Sequence, residues 1–410
     1  MALNIVWILF FVVAFVIALI RLVCFGDTEI FKTLTDGIFD SAKSSVVDVA
    51  FPLAGTMIFF LGLMNIAERA GAINKVAKLL NPFMKRLFPG VPENHPAMGE
   101  MVMNFSANML GLDNAATPFG LKAMNSLQEL NTKKDTATDA QIMFLVLHTS
   151  GLTLIPLSII AYRLAAGSHE PASIFIACVL GTVCTTISAI ILVGIRQKLK
   201  WDAVLVGWIL GIVAIITAIL VGVNALSPAQ RDVFSKIAGS LILLAIIVGI
   251  IVAAAYKKVS VFDAFIDGAK NGFDVIVKIM PYLVGMLVAI RVFRDCGALG
   301  YITDGLAWCI HAAGLNTDFV PALPVAIMKP FSGSGARGLM IDVMKSFGPD
   351  TFVGKTACTF MGSADTTFYI LALYFGSVGI KKVRYAVWAG LAADIIGVIA
   401  AILISYVMFH

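Results

Sequence analysis

The sequence predicts an all-α polytopic membrane protein. Of its 410 residues, 59% are hydrophobic and 13% are charged, whereas soluble domains are about a quarter charged. A second observation is a series of apolar stretches of about 20 residues, the length that crosses a bilayer as a helix. A third is a set of polar, glycine-containing interruptions at matching places in the two halves. A membrane tolerates such interruptions only where the backbone faces protein or water.

The apolar stretches define about nine transmembrane helices. They lie at residues 3–23, 46–66, 140–163, 172–195, 203–226, 235–255, 275–293, 352–375 and 384–408. No signal-peptide cleavage site follows the first stretch, so we expect it to be retained as a helix. Two amphipathic stretches, Ala70–Phe88 and Gly297–Ala313, are expected to lie in the membrane interface.

Two further apolar pieces, 98–128 and 319–347, are too interrupted to span once each. Gly111 and Pro118 interrupt the first, and Pro330 and Gly333 interrupt the second. We predict that each forms a re-entrant hairpin, in which a short helix, a polar tip and a returning helix stay on one side of the membrane. With that arrangement, lysine and arginine concentrate on the N-terminal side, so the positive-inside rule predicts N-in, C-out.

The two halves align with each other. Phe105-Ser106 of the first hairpin parallels Phe331-Ser332 of the second. Each repeat contains four spans and a hairpin. The odd span between the repeats would invert the second repeat, as in secondary transporters with a midplane site. The two polar tips would then face each other. The predicted domains are a first repeat at 1–200, a linking helix at 201–234 and an inverted second repeat at 235–410.

The first hairpin carries neutral polar side chains. Amides and hydroxyls both donate and accept hydrogen bonds, which suits a neutral polar solute. The same groups could instead satisfy the hairpin's own backbone, and the sequence leaves both interpretations open. The candidate substrate-binding residues here are Asn104, Ser106, Asn108, Asn114 and Thr117.

The second hairpin is cationic. Small residues expose backbone N–H groups, and a helix beginning near Arg337 adds its positive end, so together they predict a cradle for an anion. The competing interpretation pairs the cations with Asp342, Asp365 or Asp113. The candidate substrate-binding residues here are Lys329, Ser332, Ser334 and Arg337.

A third set is a candidate Na⁺ or H⁺ site. Carboxylates and hydroxyls at helix breaks can coordinate a coupling cation, and a histidine can relay a proton. Asp113 could alternatively cap a helix, and His148 could be a hydrogen-bonded structural residue. The candidate ion-coupling residues are Asp113, His148, Thr149, Ser150, Thr153, Ser363, Asp365 and Thr366.

Other chemistry has little support in the sequence. The six cysteines are scattered without a C-x-x-C pair or zinc-finger spacing, so no metal site is expected. No nucleophile–base set indicates an enzyme. The net charge of +5 reflects loop lysines and arginines rather than a nucleic-acid partner. The expected partners are a small solute and the lipid bilayer, with no cofactor beyond a coupling ion, and assembly into a homo-oligomer stays open.

Two motifs resemble known families. The segment Asn104–Pro118, NFSANMLGLDNAATP, resembles the spore maturation protein A family. The segments KPFSGSGARG from Lys329 and GSADTT from Gly362 resemble the spore maturation protein B family. The chain is therefore similar to a fusion of the two over nearly its whole length. Both belong to the nucleoside-recognition "gate" group, which is related to concentrative nucleoside transporters and to the membrane domain of the ferrous-iron transporter. The resemblance implies a transporter-like fold with paired hairpins.

The sequence therefore favours a transporter in the bacterial cytoplasmic (inner) membrane. It would move a small polar or anionic solute (nucleoside-like, amino-acid-like or a carboxylate) by alternating access, with Na⁺ or H⁺ as the candidate coupling ion. The alternative is a membrane scaffold or receptor of the spore maturation type, in which the polar hairpin residues saturate one another.

Overall fold

The computed structural model is helical throughout. It describes the backbone of residues 2–92 and 94–410, and their side chains except at 2–6, 113–115, 228–229, 232, 235–236 and 278. Within these ranges no β-strand forms, and an isolated bridge joins Thr136 to Lys382. The predicted all-α class is confirmed.

The helices follow one another with short connections. A π-helix, Ser45–Ala50, joins α2 to α3, and 3₁₀ turns lie at Pro171–Ile174 and Val320–Ala322. The α-helices are α1 (Ala2–Phe25), α2 (Ile30–Ser44), α3 (Phe51–Arg69), α4 (Ala72–Leu87), α5 (Pro96–Met109), α6 (Asp113–Glu129), α7 (Asp139–Thr149), α8 (Leu157–Ala165), α9 (Phe175–Arg196), α10 (Ala203–Asn224), α11 (Pro228–Tyr256), α12 (Val261–Asp295), α13 (Ala298–Ala312), α14 (Leu323–Met328), α15 (Gly333–Phe347), α16 (Phe352–Gly362), α17 (Thr367–Ser377) and α18 (Ala386–Phe409).

In the described chain, 7 helical segments are long and apolar enough to cross a membrane. They are Trp7–Phe25, Ile30–Arg69, Pro171–Arg196, Ala203–Asn224, Ile237–Tyr256, Val261–Asp295 and Ala386–Phe409. The predicted spans at 140–163 and 352–375 are wrong as continuous helices. The first divides into α7 and α8, and the second into α16 and α17. Polar residues, the positive φ of Gly151 and a proline before α8 explain the first interruption.

The chain forms two compact units, each assembled from both halves of the sequence. Unit 1 comprises Met1–Leu61, Ser158–Pro171 and Ala269–Met361, and unit 2 comprises Gly62–Leu157, Ala172–Gly268 and Gly362–His410. The division into two inverted repeats is a separate statement about symmetry along the sequence, and it stays a prediction.

Both predicted hairpins form as pairs of helices. In unit 2, α5 packs against α6, and the turn between them contains Gly111 with a φ of 71°. That left-handed conformation favours glycine. In unit 1, the short helix α14 packs against α15. Their re-entrant course in a membrane stays a prediction, as does the interfacial position of α4 and α13.

Close packing in unit 2 brings α18 against the helices that carry the polar interruptions. A Cβ at Gly397 would lie 2.1 Å from Thr185 Oγ1 of α9, so only glycine permits this approach. Small residues at helix interfaces let membrane helices pack closely. Along its length α18 also contacts α7 and α17, whose ends frame the candidate site.

Candidate functional site

Two helix breaks meet in unit 2. One lies between Thr149 at the end of α7 and Leu157 at the start of α8, and the other between Gly362 and Thr367. The backbone N–H of Asp365 donates to the carbonyl of Thr149 over 2.8 Å. A Cβ at Gly151 would lie 2.8 Å from the Asp365 nitrogen, and its φ is +65°. Glycine is therefore required here for both its conformation and its size.

His148, in the last turn of α7, is buried beside this junction. Its Nδ1 lies 3.0 Å from Asn104 Oδ1 and 3.3 Å from Asn108 Nδ2. When Nδ1 carries a proton it can donate to Asn104, and when it does not it can accept from Asn108. The imidazole can therefore change its hydrogen-bond partner with its tautomer.

An aromatic side chain from α17 completes this group. The rings of Tyr374 and His148 lie 4.9 Å apart between centroids. A Cβ at Gly120 would lie 2.7 Å from the Tyr374 hydroxyl and 2.8 Å from Asn104 Nδ2, so a glycine on α6 lets these two groups approach. We call Asn104, Asn108, His148 and Tyr374 the amide–imidazole cluster.

Asp365 lies at the edge of the cluster and is half-buried. Its Oδ1 accepts the backbone N–H of Thr366 over 2.7 Å at the start of α17. Its charge also acts on His148 and on Tyr374. A carboxylate, an imidazole and two helix breaks thus occur together in unit 2.

Most nearby hydroxyls bond to backbone carbonyls of their own segment. Ser106, Thr149, Ser150 and Thr153 donate to the carbonyls of Val102, Val146, Leu147 and Gly151. Ser150 also meets Thr186 Oγ1 at 2.9 Å, while Ser363 and Thr366 are buried. Asn104 in turn donates to the carbonyl of Ala116 over 2.7 Å. The contacts of Ser106 and of the Asn104 amide agree with the interpretation that polar groups of the first hairpin bond to its own backbone.

Sequence reasoning missed Asp394. It is the single charged residue in α18, and it is 5% exposed. Its Oδ2 accepts a hydrogen bond of 2.6 Å from Thr367 Oγ1, at the first residue of α17. The signal was present in the sequence, because an ionisable side chain within an apolar span marks a functional position by default.

The predicted anion cradle lies in unit 1, where its parts have structural partners. Ser332 caps α15 by accepting the N–H of Gly335 over 3.0 Å, and its Oγ lies 3.2 Å from Ser334 Oγ. The Arg337 guanidinium lies 5.3 Å from the centre of the Tyr162 ring. Lys329 is buried with Nζ 3.7 Å from Met361 Sδ. Ser332 and its small neighbours therefore stabilise the first turn of α15.

Asp342 does not pair with these cations. Its carboxylate forms an ion pair with Arg294 of α12, so that part of the pairing interpretation is wrong. A second ion pair in unit 1 joins the fully buried Arg163 to Asp350 at 2.7 Å. The Arg163 guanidinium also donates to the carbonyls of Pro171 and Pro349. We call these contacts the Arg163 network.

The structure therefore separates the predicted sets by unit. The amide–imidazole cluster, the two breaks and Asp365 belong to unit 2, while Lys329, Ser332, Ser334 and Arg337 belong to unit 1. Thr117 is exposed and interacts with the Tyr374 hydroxyl. The predictions for Asp113 and Asn114 concern side chains outside the described residues. Among the described residues no group of three or more His, Cys, Asp or Glu side chains could hold a metal ion.

The fold and this site define a multi-pass helical membrane protein whose helices break at buried polar residues. A family model described as "Gate: Nucleoside recognition" matches residues 50–201 and 276–381, more than half of the chain. The chain belongs to this nucleoside-recognition Gate family.

Two relatives from Bacillus subtilis (strain 168) agree with this assignment. Spore maturation protein B is 46% identical over 164 residues, which are 40% of this chain and 90% of the relative. Spore maturation protein A is 38% identical over 189 residues, which are 46% of this chain and 92% of the relative. No solved structure matches the chain.

Proposed function

We propose that the protein is a secondary transporter of a small polar or anionic solute and works by alternating access. The observation that carries the proposal is the junction of two helix breaks in unit 2, where Asp365 bonds to the Thr149 carbonyl beside His148. Broken helices at membrane depth free backbone groups that bind solutes and coupling ions in transporters. The family description favours nucleosides among the solute classes to test, beside amino acids and carboxylates.

The neutral groups of unit 2 are the proposed solute contacts. Asn108 is half-buried and Thr117 is exposed, so both can reach a ligand, whereas Asn104 and Ser106 are fully buried. An amide and a hydroxyl recognise a neutral polar group by donating and accepting. Lys329, Ser334 and Arg337 of unit 1 remain the proposed contacts for an anionic group.

The coupling ion would be bound at the junction. A carboxylate at a helix break attracts Na⁺ or H⁺, and Asp365 is the group that offers one there. His148, whose imidazole lies near the Asp365 charge, is the candidate proton carrier, and Asp394 adds a second carboxylate, bonded to the first residue of α17. The proposal includes the finer architecture: inverted repeats, re-entrant hairpins, an N-in, C-out course and the bacterial inner membrane.

A second function has a specific observation in its favour. Several predicted ligand groups, including Ser106, Ser150 and Ser332, are already engaged within the protein. Two relatives are named for spore maturation. A membrane scaffold or receptor would need these polar groups only for structure.

Flux measurements separate the two functions. Purified protein in proteoliposomes is tested with a panel of nucleosides, amino acids and carboxylates, under a Na⁺ or a pH gradient. A transporter gives gradient-driven uptake of at least one class, and Asp365→Asn removes the coupling. Asp135→Asn, an exposed carboxylate in a loop of unit 2, is the matched control and leaves uptake unchanged. Absence of flux for the whole panel would reject the transporter and favour the scaffold.

A further inference from the structure

An apolar crevice in unit 2 is separate from the polar contacts of the amide–imidazole cluster. It has a volume of about 430 Å³, within the range of roughly 300–1,000 Å³ usual for ligand sites. Its walls come from α3 and α11, through residues such as Met64, Ile246 and Ile250. Its lining includes Lys75 as the one charged side chain. A polar solute would lose its hydrogen bonds to water in such a space without replacing them.

The crevice reaches the ends of two membrane helices. Ala70, directly after α3, and Ala253, in the last turn of α11, both line it. Since both helices are candidate membrane spans, their ends mark the boundary between the hydrocarbon core and the polar interface. An occupant with a polar end and an apolar chain would match this arrangement.

The part of the crevice beside the start of α4 is positively charged. Lys75 lines it, and Lys257 Nζ lies 3.0 Å from the position of a Cβ at Gly71, beside the start of α4. The first turn of α4 has no side-chain cap, so its N–H groups add a partial positive charge. The charges therefore complement an anionic head group.

The crevice also touches the segments that frame the candidate site. Leu110 from the turn between α5 and α6 and Leu154 and Ile155 from the α7–α8 break line it. The Leu154 N–H donates to the Met109 carbonyl over 2.9 Å, which joins the turn to the break. An occupant would therefore pack against both segments at once.

We propose that this crevice binds one acyl chain of an anionic phospholipid, with the lipid phosphate at Lys75. The proposal goes beyond transport and does not depend on it, because it concerns equilibrium binding of a lipid. Burial of methylene groups supplies the affinity, and Lys75 supplies the preference for an anionic head group.

Two variants test the two parts of the proposal. Gly249 lines the crevice, and a Cβ there meets nothing within 4 Å, so Gly249→Leu fills the space without a clash. Its control is Gly222→Leu on α10, where a Cβ is equally unobstructed but lies outside the crevice. Lys75→Gln removes the charge, and Lys78→Gln on the same helix is its control, because Lys78 does not line the crevice.

Native mass spectrometry of the purified full-length protein measures the binding of phosphatidylglycerol and of phosphatidylcholine with identical acyl chains. Wild type should bind one phosphatidylglycerol more tightly than phosphatidylcholine. Lys75→Gln should weaken phosphatidylglycerol alone, by about fivefold. Gly249→Leu should weaken both lipids by about tenfold or more, the factor for about two displaced methylene groups. Both controls should behave as wild type.

A phosphatidylglycerol with a photoactivatable acyl chain locates the site independently. Adducts should map to the peptides that contain Leu110 or Leu154. Adducts confined to other helices, equal binding of the two lipids, or wild-type binding by Gly249→Leu would each overturn the proposal. A protein dimer that phosphatidylglycerol does not displace would assign the crevice to a second copy of the chain instead.

Discussion

Unit 1 and unit 2 hold their buried polar side chains by different means. In unit 1, Arg163 pairs with Asp350 and Asp342 pairs with Arg294. In unit 2, the groups around His148 are mainly neutral amides and hydroxyls. Removing one partner of a buried ion pair leaves an uncompensated charge, whereas neutral groups that donate and accept can exchange partners. The comparison therefore associates structural support with the ion pairs and a switchable site with the amide–imidazole cluster.

The largest expected effect comes from Arg163→Met. The substitution leaves Asp350 without its cation and deprives the Pro171 and Pro349 carbonyls of their donor. Breaking a buried ion pair costs about 3–5 kcal/mol, and because the Asp350 side chain is 30% exposed we expect the lower end of that range. Thermal unfolding of the detergent-solubilised protein should show a large fall in Tm. Arg69→Met is the control, since the Arg69–Asp267 pair is exposed and such pairs contribute about 0.2–1 kcal/mol. Equal falls in Tm for Arg163→Met and Arg69→Met would contradict the structural role of Arg163.

A smaller effect on stability is expected from Asn104→Leu. The leucine fits a similar volume but removes the side-chain hydrogen bonds to the Ala116 carbonyl and to His148, which keeps Asn108 as a partner. Loss of two hydrogen bonds costs about 1–3 kcal/mol. Ser106→Ala, on the same helix, should cost less, because its hydroxyl bonds only to the carbonyl of Val102 in the preceding turn. Unfolding measures the stability, and uptake in proteoliposomes should fall for Asn104→Leu alone. Unchanged uptake by Asn104→Leu would show that the solute does not depend on the amide–imidazole cluster.

The next effect tests unit 1 at the start of α15. Ser332→Ala removes the cap on the Gly335 N–H, and loss of such a cap costs about 1 kcal/mol. Ser332→Asn should restore the stability, because asparagine caps helices as well as serine does. If Ser332→Asn recovers the Tm and uptake in both variants stays normal, Ser332 supports the helix only. If both variants lost uptake while keeping a normal Tm, Ser332 would instead be a solute contact.

The smallest effect appears only on acidification. Burial alone would raise the pKa of Asp350, but hydrogen bonds from the Ser168 hydroxyl and the His169 N–H, with the Arg163 charge, hold it below the ordinary value. A lowered pKa in the folded state stabilises the fold above the unfolded pKa of about 3.9, and the contribution is lost as pH falls through the folded value. The Tm of wild type should therefore drop below about pH 4 more steeply than that of Asp350→Asn. Parallel curves would contradict the assignment.

The sequence was sufficient for the class of fold and for the positions of both interruptions. Composition and span length are direct consequences of the bilayer, so seven predicted spans appear as continuous helices. Asn104 and His148, which the sequence assigned to a solute set and an ion set, lie in contact, and their roles stay predictions. Composition and span length were predictable because they depend on residues that are close together in the sequence.

Other features depend on contacts between distant segments. Ser332 caps a helix. The polar residue type alone does not distinguish a helix cap from a residue that binds a ligand. The partners of Arg163 and Asp342 lie on other segments, and their spacing along the chain carries no periodic signal. Asp394 was recognisable as a lone carboxylate in an apolar span, but its partner Thr367 required the packing of α17 against α18.

The Arg163 network also sets an order of events during synthesis. The two segments it joins are separated by 186 residues between Arg163 and Pro349. At about 5–20 residues per second, the ribosome needs roughly 10–40 s to make the intervening chain. During that interval a guanidinium destined for full burial has neither its carboxylate nor one of its carbonyls. The early half of the protein therefore waits with Arg163 bonded to the Ser168 hydroxyl and to the carbonyls of Glu170 and Pro171, and the network is complete only when the late half arrives.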